Sequence, residues 1–124
     1  MANHTIQIFA TTTNPHPLSI SQDNGATWVD TETADEAFTT DVSVGDTVTY
    51  AHSLNKDGVT NNITGITNIT PATFFEPSDA PNSGNDWSGT IKSGNPSTPL
   101  EYKIMYRVSG VAPIQTQDPK LIMK

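Results

Sequence analysis

The stretch Leu100-Glu101-Tyr102-Lys103-Ile104-Met105-Tyr106-Arg107-Val108-Ser109 decides the fold. In an extended chain Leu100, Tyr102, Ile104, Tyr106 and Val108 share one face, and Glu101, Lys103, Arg107 and Ser109 share the other. Successive side chains of a strand point to opposite sides, so this alternation means one buried and one solvated face. A strand wetted on one side belongs to an antiparallel sheet, because parallel strands covered on both faces read as unbroken apolar runs.

Outward from that strand the same vocabulary continues. Thr5 to Thr12 alternates, Phe38 to Val42 and Thr47 to His52 read as strands, Trp87 to Lys92 is another, and Lys120 to Lys124 closes the chain. Asn55-Lys56-Asp57-Gly58 is a hairpin turn. In Asn61-Asn62-Ile63-Thr64-Gly65-Ile66-Thr67-Asn68-Ile69-Thr70 the isoleucines recur every three positions, a period that suits neither a plain strand nor an α-helix. A strand broken by a bulge at Gly65 reconciles the pattern. Thr31 to Ala37 is the one helical candidate, with Thr33 and Glu36 spaced as a capping box. Seven to nine short strands in 124 residues predict one all-β domain over residues 1–124. The expected architecture is a single antiparallel β-sandwich, jelly-roll or immunoglobulin-like.

Ser21-Gln22-Asp23-Asn24-Gly25-Ala26-Thr27-Trp28 fits S-x-D-x-G-x-T-W and resembles an Asp-box, the hairpin motif repeated in sialidase-type β-propellers. Gly25 suits a positive φ, Asp23 can accept from turn amides, and Trp28 can cover the turn. The motif implies a hairpin between arms Leu18 to Gln22 and Ala26 to Asp30; it implies no reaction.

Composition narrows the functions. Thirteen acidic and six basic residues give a net charge of −7, with no basic cluster, which argues against nucleic acid and anionic membranes as partners. There is no Cys, hence no disulfide, no thiolate nucleophile and no cysteine-type metal site. His4, His16 and His52 stand in unrelated contexts, and G-x-S-x-G is absent, so no enzyme is expected and no catalytic residue is assigned. The carboxylate pairs Asp35–Glu36 and Asp79–Asp86 read as solvated surface. Val44-Gly45-Asp46-Thr47-Val48-Thr49-Tyr50 resembles a strand common in cupredoxin-like domains, but without Cys the copper site cannot form. The Met1–Thr5 start has neither a basic nor an apolar leader region, which predicts a cytoplasmic protein.

The remaining reading is a binding or interaction module. The loop from Glu76 to Asp86 is rich in oxygen donors, and Trp87 follows it directly. An aromatic ring flanked by Asn and Asp suits a sugar, which offers an apolar face and a rim of hydroxyls. Trp87, Asp79, Asn82, Asn85 and Asp86 are therefore the candidate ligand contacts. Calcium is the metal most compatible with that loop, but the spacing misses the D-x-[DN]-x-[DN]-G pattern, so no metal and no cofactor is assigned. The alternative is a structural, self-assembling protein joined through sheet edges or an apolar patch.

Gly45-Asp46-Thr47-Val48-Thr49-Tyr50, Phe75-Glu76-Pro77, Trp87-Ser88-Gly89, Tyr102-Lys103-Ile104 and Asp118-Pro119-Lys120-Leu121-Ile122 together resemble the AidA/PixA-type inclusion-body proteins of bacteria. The likeness covers roughly residues 40 to 124 and leaves the first forty outside it. It implies a cytoplasmic jelly-roll-like sandwich that accumulates or self-associates, with sugar binding as a possible activity and no catalytic residue to carry over.

Overall fold

The computed structural model describes residues 2–70 and 72–123. Lys124, placed by the sequence at the end of the last strand, and Met1 lie outside them. Ten strands occur among the described residues, more than the seven to nine expected. They are β1 (Asn3–Phe9), β2 (Ser19–Ser21), β3 (Thr39–Val42), β4 (Thr47–Ala51), β5 (Ile63–Thr70), β6 (Ser88–Thr90), β7 (Leu100–Glu101), β8 (Lys103–Val108), β9 (Gln115–Gln117) and β10 (Lys120–Met123). One α-helix, α1 (Glu32–Ala37), precedes β3.

The strands form a four-stranded sheet, β2-β1-β4-β6, and two three-stranded sheets, β3-β10-β7 and β5-β8-β9. The expectation of purely antiparallel pairing is corrected. β1 runs parallel to β4, with Asn3 opposite Thr47, and β3 runs parallel to β10, with Thr39 opposite Lys120. Each parallel pair is joined by a long crossover rather than a hairpin, as parallel strands require.

The alternating stretch from Leu100 is divided at Tyr102, whose amide leaves the ladder and donates to the Pro119 carbonyl at 3.0 Å. On one side of the break β7 pairs with β10; on the other β8 pairs with β9. Opposite it, Asp118-Pro119 separates β9 from β10, because proline cannot donate to a ladder. The two smaller sheets thus share one pair of chain segments. The buried face matches the alternation: Tyr102, Ile104, Tyr106 and Val108 are at most 3 % exposed. The strand β9, Gln-Thr-Gln, carries no apolar pattern and escaped the sequence reading.

Ile6, Ile8, Ile20 and Val48 from the larger sheet, with Leu18 just before β2 and Ile91 just after β6, join Ile104, Tyr106 and Leu121 in one core. Tyr50 of β4 meets Tyr102 edge to face, with ring centroids 5.9 Å apart, and this contact ties the sheets together. The Tyr106 hydroxyl donates to the Pro15 carbonyl at 2.7 Å, and the buried Gln117 side-chain oxygen accepts from the Leu18 amide at 3.1 Å. Asn61 is a second cross-link, donating to Ile8 O at 2.8 Å and accepting from the Ile63 amide at 3.1 Å.

The bulge in β5 is present. The ladder with β8 shifts between Ile63 and Gly65 and shifts again between Ile66 and Asn68. Helix α1 forms where expected, but its cap is Thr31, not Thr33. Thr31 is extended (φ −117°, ψ 155°), and its hydroxyl accepts from the Ala34 amide at 3.1 Å, as an N-cap does.

Candidate functional site

The segment Glu76 to Asp86 is ordered by its own side chains. Asn82 caps a short 3-10 turn (Ser83–Asn85), accepting from the Gly84 amide at 2.8 Å and donating to the Ala80 carbonyl at 2.9 Å. Asn85 accepts from the Asn82 amide at 2.9 Å and from the Ser88 amide at 3.3 Å, and its amide group donates to Ala80 O at 3.0 Å. The Thr90 hydroxyl donates to Asp79. Asp79, Asn82 and Asn85, expected to meet a ligand, are therefore engaged in shaping the loop.

Asp86 and Trp87 are placed differently. Both adopt left-handed backbone, with φ of 55° and 57°. For a side chain as large as tryptophan this conformation is a true outlier, costing about 1–3 kcal/mol per residue, and it persists only where the surroundings enforce it. The enforcing bonds are visible: the Trp87 amide donates to Asn82 O at 2.9 Å, and its carbonyl accepts from the Tyr50 amide at 3.0 Å. The result is a turn that presses the indole partly against the core and partly into a cleft of about 270 Å³.

Thr49, Ala51, His52 and Ser53, at and just beyond the end of β4, form the other wall. Thr49 is braced from below by the Ser88 hydroxyl at 2.9 Å. Tyr50, at the back, is buried with its phenol; desolvation first and neighbouring Tyr102 second push its pKa well above the ordinary value, so it stays neutral. Trp87, the exposed Asp86, His52, Thr49 and Ser53 thus line one cleft. Of the five residues expected from sequence, it contains two, Asp86 and Trp87. Thr49, His52 and Ser53 were missed because they lie more than thirty residues upstream, and it is the antiparallel pairing of β4 with β6, Thr49 opposite Ser88, that brings them near.

Other polar groupings serve the fold. The Ser21–Trp28 turn has Asn24 and Gly25 at positive φ; Asp23 accepts from the Ser21 hydroxyl at 2.7 Å and the Thr27 amide at 2.9 Å, bonds that lower its pKa. Trp28 covers Gly25 and meets Phe9 edge to face at 6.1 Å. The return arm holds β2 only through the Ile20–Val29 bridge, a shorter hairpin than its motif implies. Asp46, which sequence analysis left as part of a strand motif, is a buried clasp. It accepts from the amides of Ala2 and Ser43, each at 2.9 Å, and from His4 Nε2 at 2.8 Å. The Ala2 amide first, and His4 next, hold its pKa down at about 2. The stabilisation from this clasp is present above the ordinary carboxyl range and is lost as pH falls toward 2.

Glu32, Glu36 and Asp118 approach one another on a different face. Both oxygens of Glu32 are already engaged, by His16 Nε2 and by Gln117 Nε2, which makes the group a polar brace for α1. Asp35, read from sequence as solvated, is instead fully buried. No helix among the described residues is long and apolar enough to cross a membrane. No family model matches the chain, and no curated protein matches it.

Proposed function

We propose that this chain is a non-catalytic binding module whose Trp87 cleft takes a small carbohydrate, carried on a two-layered β-sandwich. In this reading β2-β1-β4-β6 is one layer, and the segments β3, β9–β10, β7–β8 and β5 make the other, packed through Tyr50 and Tyr102. The observation that carries the functional reading is the pair of left-handed residues, Asp86 and Trp87, at the cleft. Backbone strain concentrated at a pocket is a feature of ligand sites rather than of inert surface. The volume, about 270 Å³, suits one sugar ring better than a drug-sized ligand. Trp87 supplies the stacking face, while Asp86, His52 and Ser53 supply polar groups for hydroxyls. A cytoplasmic setting and the likeness to AidA/PixA-type proteins fit the same reading.

A glycan array, run with calcium and with chelator, tests it. Binding is expected in both conditions, because Asn82 and Asn85 spend their side-chain oxygens on backbone amides of the loop. Trp87→Ala should weaken affinity at least about tenfold, a loss of ~1.4 kcal/mol, with the fold intact. Unchanged affinity in that variant would remove the site. Silence on the array in both conditions would pass the argument to self-association, read by light scattering as a mass that rises with concentration.

A further inference from the structure

Helix α1 reads Glu-Thr-Ala-Asp-Glu-Ala, and the only side chain it buries is Asp35. A surface helix ordinarily docks through an apolar stripe, which this one lacks. Asp35 has no exposed surface, and neither of its carboxylate oxygens has a hydrogen-bond partner among the described residues. An ionised carboxylate in that position would be a buried, uncompensated charge, among the costliest features a fold can carry. A protonated one is a small polar group of modest cost.

The neighbours make ionisation harder. The titratable groups whose fields reach Asp35 are Glu32 on the helix, Asp30 just before it and the Tyr106 phenol on β8. Two are acidic and the third is held neutral by burial. The side chains of His16 and Gln117 are turned to Glu32, and the Lys120 ammonium donates to the Glu36 carbonyl oxygen, so the hydrogen-bond donors nearby answer other partners. Desolvation first, then Glu32, push the Asp35 pKa up to about 8.

The geometry points to α1 as a proton-dependent latch: the helix stays docked while the Asp35 carboxyl is protonated, and loss of that proton releases it from the sheet. The sign follows from the linkage. A released Asp35 gives up its proton in the ordinary carboxyl range, whereas the docked one keeps it to about 8. Docking is therefore strongest in acid and weakens by about tenfold per pH unit across that window. Release would break the Gln117–Glu32 bond and draw Asp35 away from the Tyr106 phenol, without unpairing β8.

Amide hydrogen exchange of residues 32–37, corrected for intrinsic exchange and followed from about pH 5 to about pH 9, tests the latch. In the wild-type chain protection should fall about tenfold per unit up to about pH 8 and level off above it, while β8 amides keep theirs. In Asp35→Asn, which carries no titrating carboxyl, it should be flat. The same slope in both chains would overturn the proposal, as would an equal loss in β8, which would mark global unfolding. Should Asp35→Asn not fold, the carboxyl carbon of Asp35 in the wild-type chain decides by NMR. Titration near 8 supports the latch, and titration near 4, the ordinary value, ends it.

Discussion

Side by side in one sheet, β8 and β5 bury their apolar residues with different spacings. In β8, Ile104, Tyr106 and Val108 recur every second residue, as a regular strand requires. In β5, Ile63, Ile66 and Ile69 recur every third, and they too are buried. The register resolves this: Ile63 faces Val108, Ile66 faces Tyr106 and Ile69 faces Ile104. Three residues of β5 span two of β8, so Thr64 and Thr67 are the extra ones. Each serves the other strand: Thr64 donates its hydroxyl to Arg107 O at 3.4 Å and Thr67 to Met105 O at 3.1 Å. The Ile-Thr-x repeat is thus a strand with a bulge in every unit. A doubly bulged outer strand is also a poor template for further pairing, which protects a sheet edge.

The contrast can be broken from either side. Deleting Met105 from β8 makes Ile104 and Tyr106 adjacent and forces one off the core face. The cost, about 3–5 kcal/mol, rivals the whole stability of a small domain, and far-ultraviolet circular dichroism should show an unfolded or aggregated chain. Deleting Thr67 from β5 leaves Ile66-Asn68-Ile69, an ordinary alternation. We expect a folded protein with a urea midpoint lowered by the equivalent of ~1 kcal/mol; unfolding here would disprove the bulge account.

Side-chain truncation sharpens the comparison. Ile104→Ala and Ile66→Ala should each cost about 2–4 kcal/mol in urea unfolding, because both isoleucines are core despite their different spacing. A much smaller loss at Ile66 would mean that the bulged strand packs loosely. Thr67→Val keeps the shape and removes the hydroxyl bond, for a loss of ~0.5–1 kcal/mol in the same assay. Gly65→Ala should raise the melting temperature slightly, by about 0.5 kcal/mol of stability. An added Cβ meets nothing within 4 Å there and φ is not positive, so the gain comes from a less flexible unfolded chain.

How far the chain could be read in advance follows from the same physics. Alternation exposed β8 directly, and the misfit of the isoleucine period located the first bulge. The second bulge, at Thr67, has no glycine to mark it and could not be told from the first. The Asp57-Gly58 turn was legible because both residues take positive φ, 53° and 78°, as a tight hairpin asks. Parallel pairing was not, since nothing local in Thr47–Ala51 says which neighbour it will choose. Trp87 and Asp86 stood out as an aromatic beside a polar loop. Asn82 and Asn85 cap their own turn, a role the sequence does not display, because an amide that does so and one that holds a ligand are the same letter. Asp35 was hidden for the opposite reason: a carboxyl beside another carboxyl reads as surface.

The clasp at Asp46 bears on the order in which the chain is made. Its oxygens hold the amide of Ala2, forty-four residues earlier, and its strand is the parallel partner of β1. As the chain leaves the ribosome, β1 emerges first but can find only β2 until residue 46 and the strand beyond it have been synthesised. The strand β1 is therefore fastened late and is left waiting with one edge open.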